Sequence, residues 1–324
     1  MRRMRSIVLV CALGAGLSLA GSASASQLIA RNASNISLKV NSKGTALVTF
    51  TAQGKLTHLL AGGAINARQR PASPKIKQVK FTVDYSGGWL HHRQTWKHFQ
   101  NTCQSYDGPQ LAWFVTGCKA ANGTYWALQS WQTALPDLGF APWLQSQKTW
   151  WLHLSHWSGQ LAKLDVYTDW IYGGRFQEVF GQYTYLGHGI RGFGTTRVGA
   201  PTDGYGRLLF LDTYNSSYGP GWLRENSFVS HGPPGMFCYG FYARNPWVGG
   251  YAHPAGTPKR GRGPGTGEQY RITAPGPGVT PDVMWQGAGL HPYDKNNPSD
   301  VSLEQQMNAE RDTIRRGYAK CSHN

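Results

Sequence analysis

Negative charge is scarce in this chain. Of 324 residues only 16 are Asp or Glu, against 32 Lys or Arg, and charged residues amount to 15%. That shortage excludes long solvent-facing helices rich in Glu and Lys over most of the chain. Cysteine is sparse too, with five residues and no pair at the spacing of a structural zinc site. No Gly-x-Ser-x-Gly elbow occurs, which weakens a serine-hydrolase reading. There is no internal repeat, and the longest apolar run, Ile7 to Ala20, is too short to span a bilayer and remain there.

That run belongs to an export signal. Arg2, Arg3 and Arg5 precede it, and Ala23-Ser24-Ala25 supplies small residues at the cleavage positions, so residues 1–25 read as a signal peptide and the mature chain as starting at Ser26. Cys11 sits inside the run behind the bulky Val10, which is wrong for a lipoprotein. No integral span is expected once the leader is gone. The remaining 299 residues carry 29 basic and 16 acidic side chains, a net charge of +13. An exported, wall-associated protein of that charge is drawn to anionic polymers, whereas specific nucleic-acid recognition has no motif here. Only Lys259-Arg260-Gly261-Arg262 approaches a basic cluster.

Forty-one Gly, 18 Pro and short alternating runs predict a mainly β protein. We expect a single domain over 26–324, an antiparallel sandwich or open barrel. Ile36, Leu38 and Val40 alternate into the turn Asn41-Ser42-Lys43-Gly44, and Val48 and Phe50 return, so the pair reads as a hairpin. Val79, Phe81, Val83 and Tyr85 alternate likewise. Further strands are expected at 111–116, 124–131, 149–157, 163–171, 176–186, 207–214 and 237–243. A C-terminal helix over 299–317, capped by Ser299 or Asp300, carries the apolar stripe Leu303, Met307 and Ile314. The Gly/Pro-rich stretch 254–281 reads as a long loop, either a lid or a flexible excursion. Four mature cysteines in an oxidising compartment imply two disulfides, and we favour Cys103–Cys118 and Cys238–Cys321, each worth roughly 3–4 kcal/mol. Thirteen Trp and sixteen Tyr can fill a core or line sugar-binding surfaces.

Several phrases stand out: Tyr85-Ser86-Gly87-Gly88-Trp89, Leu154-Ser155-His156-Trp157, Asp212-Thr213-Tyr214-Asn215-Ser216, Phe237-Cys238-Tyr239-Gly240-Phe241-Tyr242 and Gly278-Val279-Thr280-Pro281-Asp282. Through them the chain resembles hypothetical secreted proteins of high-GC Gram-positive bacteria over nearly its whole mature length. The resemblance implies export and a single unit, and it carries no activity.

Three motifs are set aside on physical grounds. Gly187-His188-Gly189-Ile190-Arg191-Gly192 has the dinucleotide spacing, but that motif needs a helix to begin there, and Gly199 and Pro201 follow too soon. His153 and His156 are three apart on a strand and face opposite ways, so they cannot share a metal. His91, His92 and His98 have cationic neighbours in Arg93 and Lys97. No metal and no cofactor is expected.

The richest constellation lies at 149–171. If residues 158–162 close an antiparallel hairpin, Ser155 pairs with Asp165, His153 with Tyr167 and Trp151 with Asp169. One face would then gather Trp151, His153, Trp157, Asp165, Tyr167 and Asp169, a platform on which sugar rings stack and to which their hydroxyls donate. Asp165 and Asp169, four apart on one strand, would lie roughly 13 Å from each other. A glycosidase pair needs about 5–9.5 Å. A two-carboxylate hydrolase would therefore borrow Glu178, Asp203, Asp212 or Glu225; Asp203 stands in the turn-forming Asp203-Gly204-Tyr205-Gly206, and Asp212 and Glu225 flank the turn-forming stretch 215–221. Three functions stay open: a non-catalytic binder of wall glycans or polyanions, an extracellular carbohydrate-active hydrolase, and a scaffold without a small ligand.

Overall fold

A computed structural model describes residues 26–68, 79–88, 95–132, 149–174, 176–190, 193–195, 201–203, 210–216, 219–227, 235–241 and 266–317. The first half of the chain supplies β1 (Gln27–Arg31), β2 (Ser34–Val40), β3 (Ala46–Ala52), β4 (Lys55–Gly62), β5 (Thr82–Asp84), β6 (Gln104–Ser105), β7 (Phe114–Lys119), β8 (Tyr125–Gln132) and β9 (Trp150–Trp157). The second half supplies β10 (Lys163–Ile171), β11 (Phe176–Tyr185), β12 (His188–Gly189), β13 (Phe193–Thr195), β14 (Pro201–Asp203), β15 (Phe210–Ser216) and β16 (Gly219–Ser227). Then follow β17 (Met236–Phe241), β18 (Gln269–Ala274), β19 (Val283–Ala288) and the helix α1 (Pro298–Arg315).

The protein is mainly β, with antiparallel sheets, a single C-terminal helix and no closed barrel among the described residues. Two sheet pairs are stacked. In the first, the sheet β1-β9-β8-β7-β6 lies on β2-β3-β4-β5. Leu152 and Leu154 of β9 and Trp126 and Leu128 of β8 meet Val48, Phe50 and Leu59 across it. In the second, β10-β11 with β17 packs on β16-β15-β18-β19, with Val179, Tyr183, Phe237, Leu211, Tyr270 and Ile272 between them. Helix α1 covers the other side of β10 and β11, burying Met307 and Ile314 against Phe180 and Met236.

The alternating runs form strands because one face of each is apolar and buried. The β2–β3 hairpin forms as its pattern predicts. Asn41 accepts the N–H groups of Lys43 and Thr45 on its side chain, and Gly44 takes φ +73, which suits glycine. The disulfide Cys103–Cys118 forms, stapling the edge strand β6 to β7 where Ser105 pairs with Cys118. Cys238 is also disulfide-bonded, and Cys321, its expected partner, lies outside the described residues. At Gly187 the dinucleotide spacing becomes a two-residue hairpin turn. Leu186 (φ +51) and Gly187 (φ +75) reverse the chain so that Tyr185 pairs with His188.

Three expectations are corrected. The stretch 254–281 is not a loop throughout: residues 269–274 form β18, an interior strand, and residues 275–282 are buried. Its glycines serve close approach, since a Cβ on Gly276 would lie 1.9 Å from the Pro281 carbonyl oxygen. The helix is capped by Asn297, whose side chain accepts from Ser299 N–H. Asp300 instead turns inward and takes the Asp294 N–H and Asn297 Nδ2.

The third correction is decisive for function: β9 and β10 do not pair. β9 is held between β8 and β1, with both edges used, and β10 pairs with β11 in another sheet. The hairpin that does form turns at Tyr172-Gly173-Gly174, all three at positive φ, and joins β10 to β11. Gly181 sits in the middle of β11, where a Cβ would fall 2.0 Å from the Asp165 carbonyl oxygen. Gly181→Ala is therefore expected to push β10 off β11 and cost about 1–3 kcal/mol. A thermal melt within a degree of the parent would contradict that spacing.

Candidate functional site

The six platform residues separate with their strands. Trp157 is fully buried and packs with Leu111 and Ala127. His153 is buried against Trp131, with ring centroids 5.2 Å apart. Trp151 is half-buried, with the Arg31 guanidinium 5.6 Å from its ring centroid. On β10, Tyr167 packs on Phe180 beneath α1, Asp169 is fully buried, and Asp165 pairs with Lys163 at the surface. The parity within each strand is as expected. At Tyr167 and Asp169 the odd face of β10 is covered by the helix rather than open to sugars.

Two of the six, His153 and Asp169, enter buried polar centres. In the first, Ser26, His153 and Asp282 meet. Ser26 Oγ donates to Asp282 Oδ1 and lies 2.7 Å from His153 Nδ1. His153 Nδ1 is also 3.0 Å from the Ser26 carbonyl oxygen, which only accepts, so Nδ1 carries the proton. Asp282 Oδ2 takes Trp131 Nε1–H at 2.9 Å, and Oδ1 takes the Gly276 N–H at 3.0 Å. Gln129 clasps the Asp282 backbone, accepting its N–H at 2.8 Å and donating to its carbonyl at 3.0 Å.

The residue types are those of a nucleophilic triad, but the arrangement is not. A triad places serine on Nε2 and aspartate on Nδ1. Here both stand on the protonated nitrogen, and Nε2 is buried without a partner. Burial lowers the His153 pKa, opposed by Asp282 and by the Ser26 carbonyl. A neutral imidazole whose proton points at the serine cannot act as its base.

The second centre joins Asp169, Glu178 and Arg311. Asp169 and Glu178 are cross-strand partners on β10 and β11, and Arg311 descends from α1 between them. Its Nη2 donates to Asp169 Oδ2 and lies 3.1 Å from Glu178 Oε2. Its guanidinium also sits 4.7 Å from the Phe180 ring centroid. Burial pushes Asp169 up to about 6, with Arg311 opposing and Glu178 adding to the rise. This is a carboxylate pair, but one closed under a helix and clamped by a cation. It gives the glycosidase reading nothing to work with. Arg311 was legible in the sequence, because it continues the stripe Leu303, Met307 at the next step of four. Its polarity hid it.

Two further centres follow the same pattern. Arg271 chelates Asp212 through Nε (3.0 Å) and Nη2 (2.9 Å), stacked 4.6 Å from Trp113 and 4.1 Å from Trp222. Asp300 takes His291 at 2.9 Å. Among the described residues, five carboxylates but only two cationic side chains are thus buried: Asp169, Glu178, Asp212, Asp282 and Asp300 against Arg271 and Arg311. Folding withdraws more negative than positive charge from the surface.

The basic surplus is also uneven along the chain. Residues 26–157 contain thirteen Lys or Arg, three Asp and no Glu. Counting charges by half would have found this; the scattered spacing conceals it. Lys39, Lys43, Lys55, Lys80 and Lys97 are exposed. The outer face of β2–β5 is polar where Ser37, Thr49 and His58 stand in register. Thr49 Oγ1 lies 3.1 Å from His58 Nδ1, and the His58 ring stacks on Trp96 at 4.1 Å. Lys97 lies over the same indole. His91 and His92 lie outside the described residues. No group of three His, Cys, Asp or Glu able to hold a metal occurs among the described residues, and no described helix is long and apolar enough to cross a membrane.

The chain matches no protein-family model, no curated protein and no solved structure.

Proposed function

We propose that the protein is an exported, non-catalytic binder of anionic extracellular polymers, such as wall polymers or acidic glycans, and that its N-terminal sheet pair carries the binding surface. The observation behind this reading is the segregation of charge. Residues 26–157 hold thirteen cations against three aspartates, while five of the thirteen carboxylates that follow are buried. Exposed lysines spread over a sheet make a broad positive field rather than a pocket, which suits a repeating anionic polymer. The hydroxyls of Ser37 and Thr49 beside the Trp96–His58 stack provide hydrogen-bond partners and an apolar patch for sugar rings.

The expected behaviour is electrostatic. Binding to a poly(glycerol phosphate) wall polymer should fall more than tenfold between about 0.05 and 0.5 M salt, because exposed charges are screened over about 10 Å at 0.1 M. Lys39→Glu with Lys97→Glu should weaken it further, and a neutral polysaccharide should bind poorly. Salt-independent binding, or equal retention of the neutral polymer, would remove the proposal.

A further inference from the structure

We propose that the buried pocket around Asp282 is the receiving site for an α-ammonium group, created when the Ala25–Ser26 peptide bond is hydrolysed during export. The proposal is independent of polymer binding. In that step water adds across the amide, catalysed by a leader-removing endopeptidase. Ala25 departs as a carboxylate, and the amine stays on Ser26 and takes up a proton.

Asp282 differs from the other buried carboxylates. Asp169 and Glu178 share Arg311, Asp212 has Arg271, and Asp300 has the exposed His291. Asp282 is 1% exposed, and its side-chain partners are Trp131 N–H, Gly276 N–H, the Ser26 hydroxyl and His153. The first three are neutral. His153 is held neutral by its own burial. A buried carboxylate without a cation is expensive, and several kcal/mol favour supplying one. Ser26 brings the site within reach: its Oγ touches Asp282, and covalent geometry keeps its nitrogen within about 4 Å of that oxygen.

A second observation agrees. Ser26 is fully buried and takes φ +25, a backbone conformation that a serine holds at a cost. That torsion exists only while a residue precedes Ser26. Cleavage abolishes it and releases the strain as the charge pairs. The leader then does more than address the chain: its removal completes the junction of β1, β9 and the 276–282 segment.

Three forms of the mature chain test this: one beginning at Ser26 with a free amine, one Nα-acetylated, and one extended by Ala25. The free form should unfold with an equilibrium constant at least tenfold smaller than the other two. In an Asp282→Asn background the three should be equal. Should that variant not fold, titration of the 15N-labelled α-amine decides in the native chain, where it should lie above the ordinary α-amino range. N-terminal sequencing of the exported protein should begin at Ser26. Equal stability of the three forms, an amine titrating in its ordinary range, or a different first residue would each overturn the proposal.

Discussion

Replacing Arg311 by methionine is expected to lower the unfolding free energy by about 3–5 kcal/mol at pH 7.5, because it removes the guanidinium that bridges two buried carboxylates. Asp169 and Glu178 are 0% and 2% exposed, so water cannot substitute for the lost guanidinium. Methionine keeps apolar contact with Phe180, which confines the loss to charge. For a chain of this size the melting temperature should drop by roughly 10 °C. The loss should shrink on acidification. Asp169 is held up to about 6 in the folded protein, against an ordinary value near 3.8, chiefly by burial. Between about pH 4 and 6 the native state therefore keeps a proton that the unfolded chain has released. The stabilisation from this group is full below that window and is lost as pH rises through about 6.

His156 works in the opposite sense over the same range. Burial lowers it to about 4 while it stacks on Trp126, so its contribution is present above its unfolded value and lost as pH falls. The wild-type profile alone therefore cannot isolate Asp169, and the difference between variant and parent at pH 7.5 and 5 is the quantity to measure. Asp169→Asn should cost less than about 1 kcal/mol above pH 7, since it removes the excess charge and keeps an acceptor for Arg311. A pH-independent Arg311→Met loss would contradict the assignment of the effect to these carboxylates.

Asp282→Ala is expected to cost about 3–5 kcal/mol, for a different reason. Three donors lose their acceptor at once: Trp131 Nε1–H, the Gly276 N–H and the Ser26 hydroxyl. Each buried donor left unmade costs about 1–3 kcal/mol. The residue also fastens the two halves of the molecule. The segment before it runs through the first sheet pair, with His156 N–H donating to Val279 O and Val279 N–H to Asn66 O. Urea unfolding should shift to a lower midpoint, and the second half should become sensitive to protease at lower urea than the parent. A loss below 1 kcal/mol would mean that Asp282 is a passenger in this junction.

Local pattern carried much of the fold. The strand at Lys163–Ile171 was expected at 163–171 and formed there, because alternation over nine residues leaves one period to choose from. Cys103–Cys118 formed across a short loop whose ends a neighbouring pair of strands brings together. The apolar stripe of the C-terminal helix also buried as its spacing predicts. What alternation does not contain is the identity of the partner strand. Trp150–Trp157 and Lys163–Ile171 have matching faces and a five-residue connection, so a hairpin was the shortest solution. β9 instead pairs with strands from residues 125–132 and 27–31, which satisfies both of its edges, and its residues 152–157 are buried on both faces.

The sequence by itself determined the antiparallel β class, the positive charge and the face on which each strand residue points. These depend on composition and on neighbours one to four residues away. Only the tertiary structure decided what covers those faces: α1 over Asp169 and Tyr167, and the 276–282 segment over His153. Such contacts join residues more than a hundred positions apart, and they are chosen by the burial of charge and apolar surface across the whole chain. That selection dispersed the expected sugar platform, closing His153 and Asp169 into the interior, and left the exposed lysines of the first half as the surface on which function is proposed.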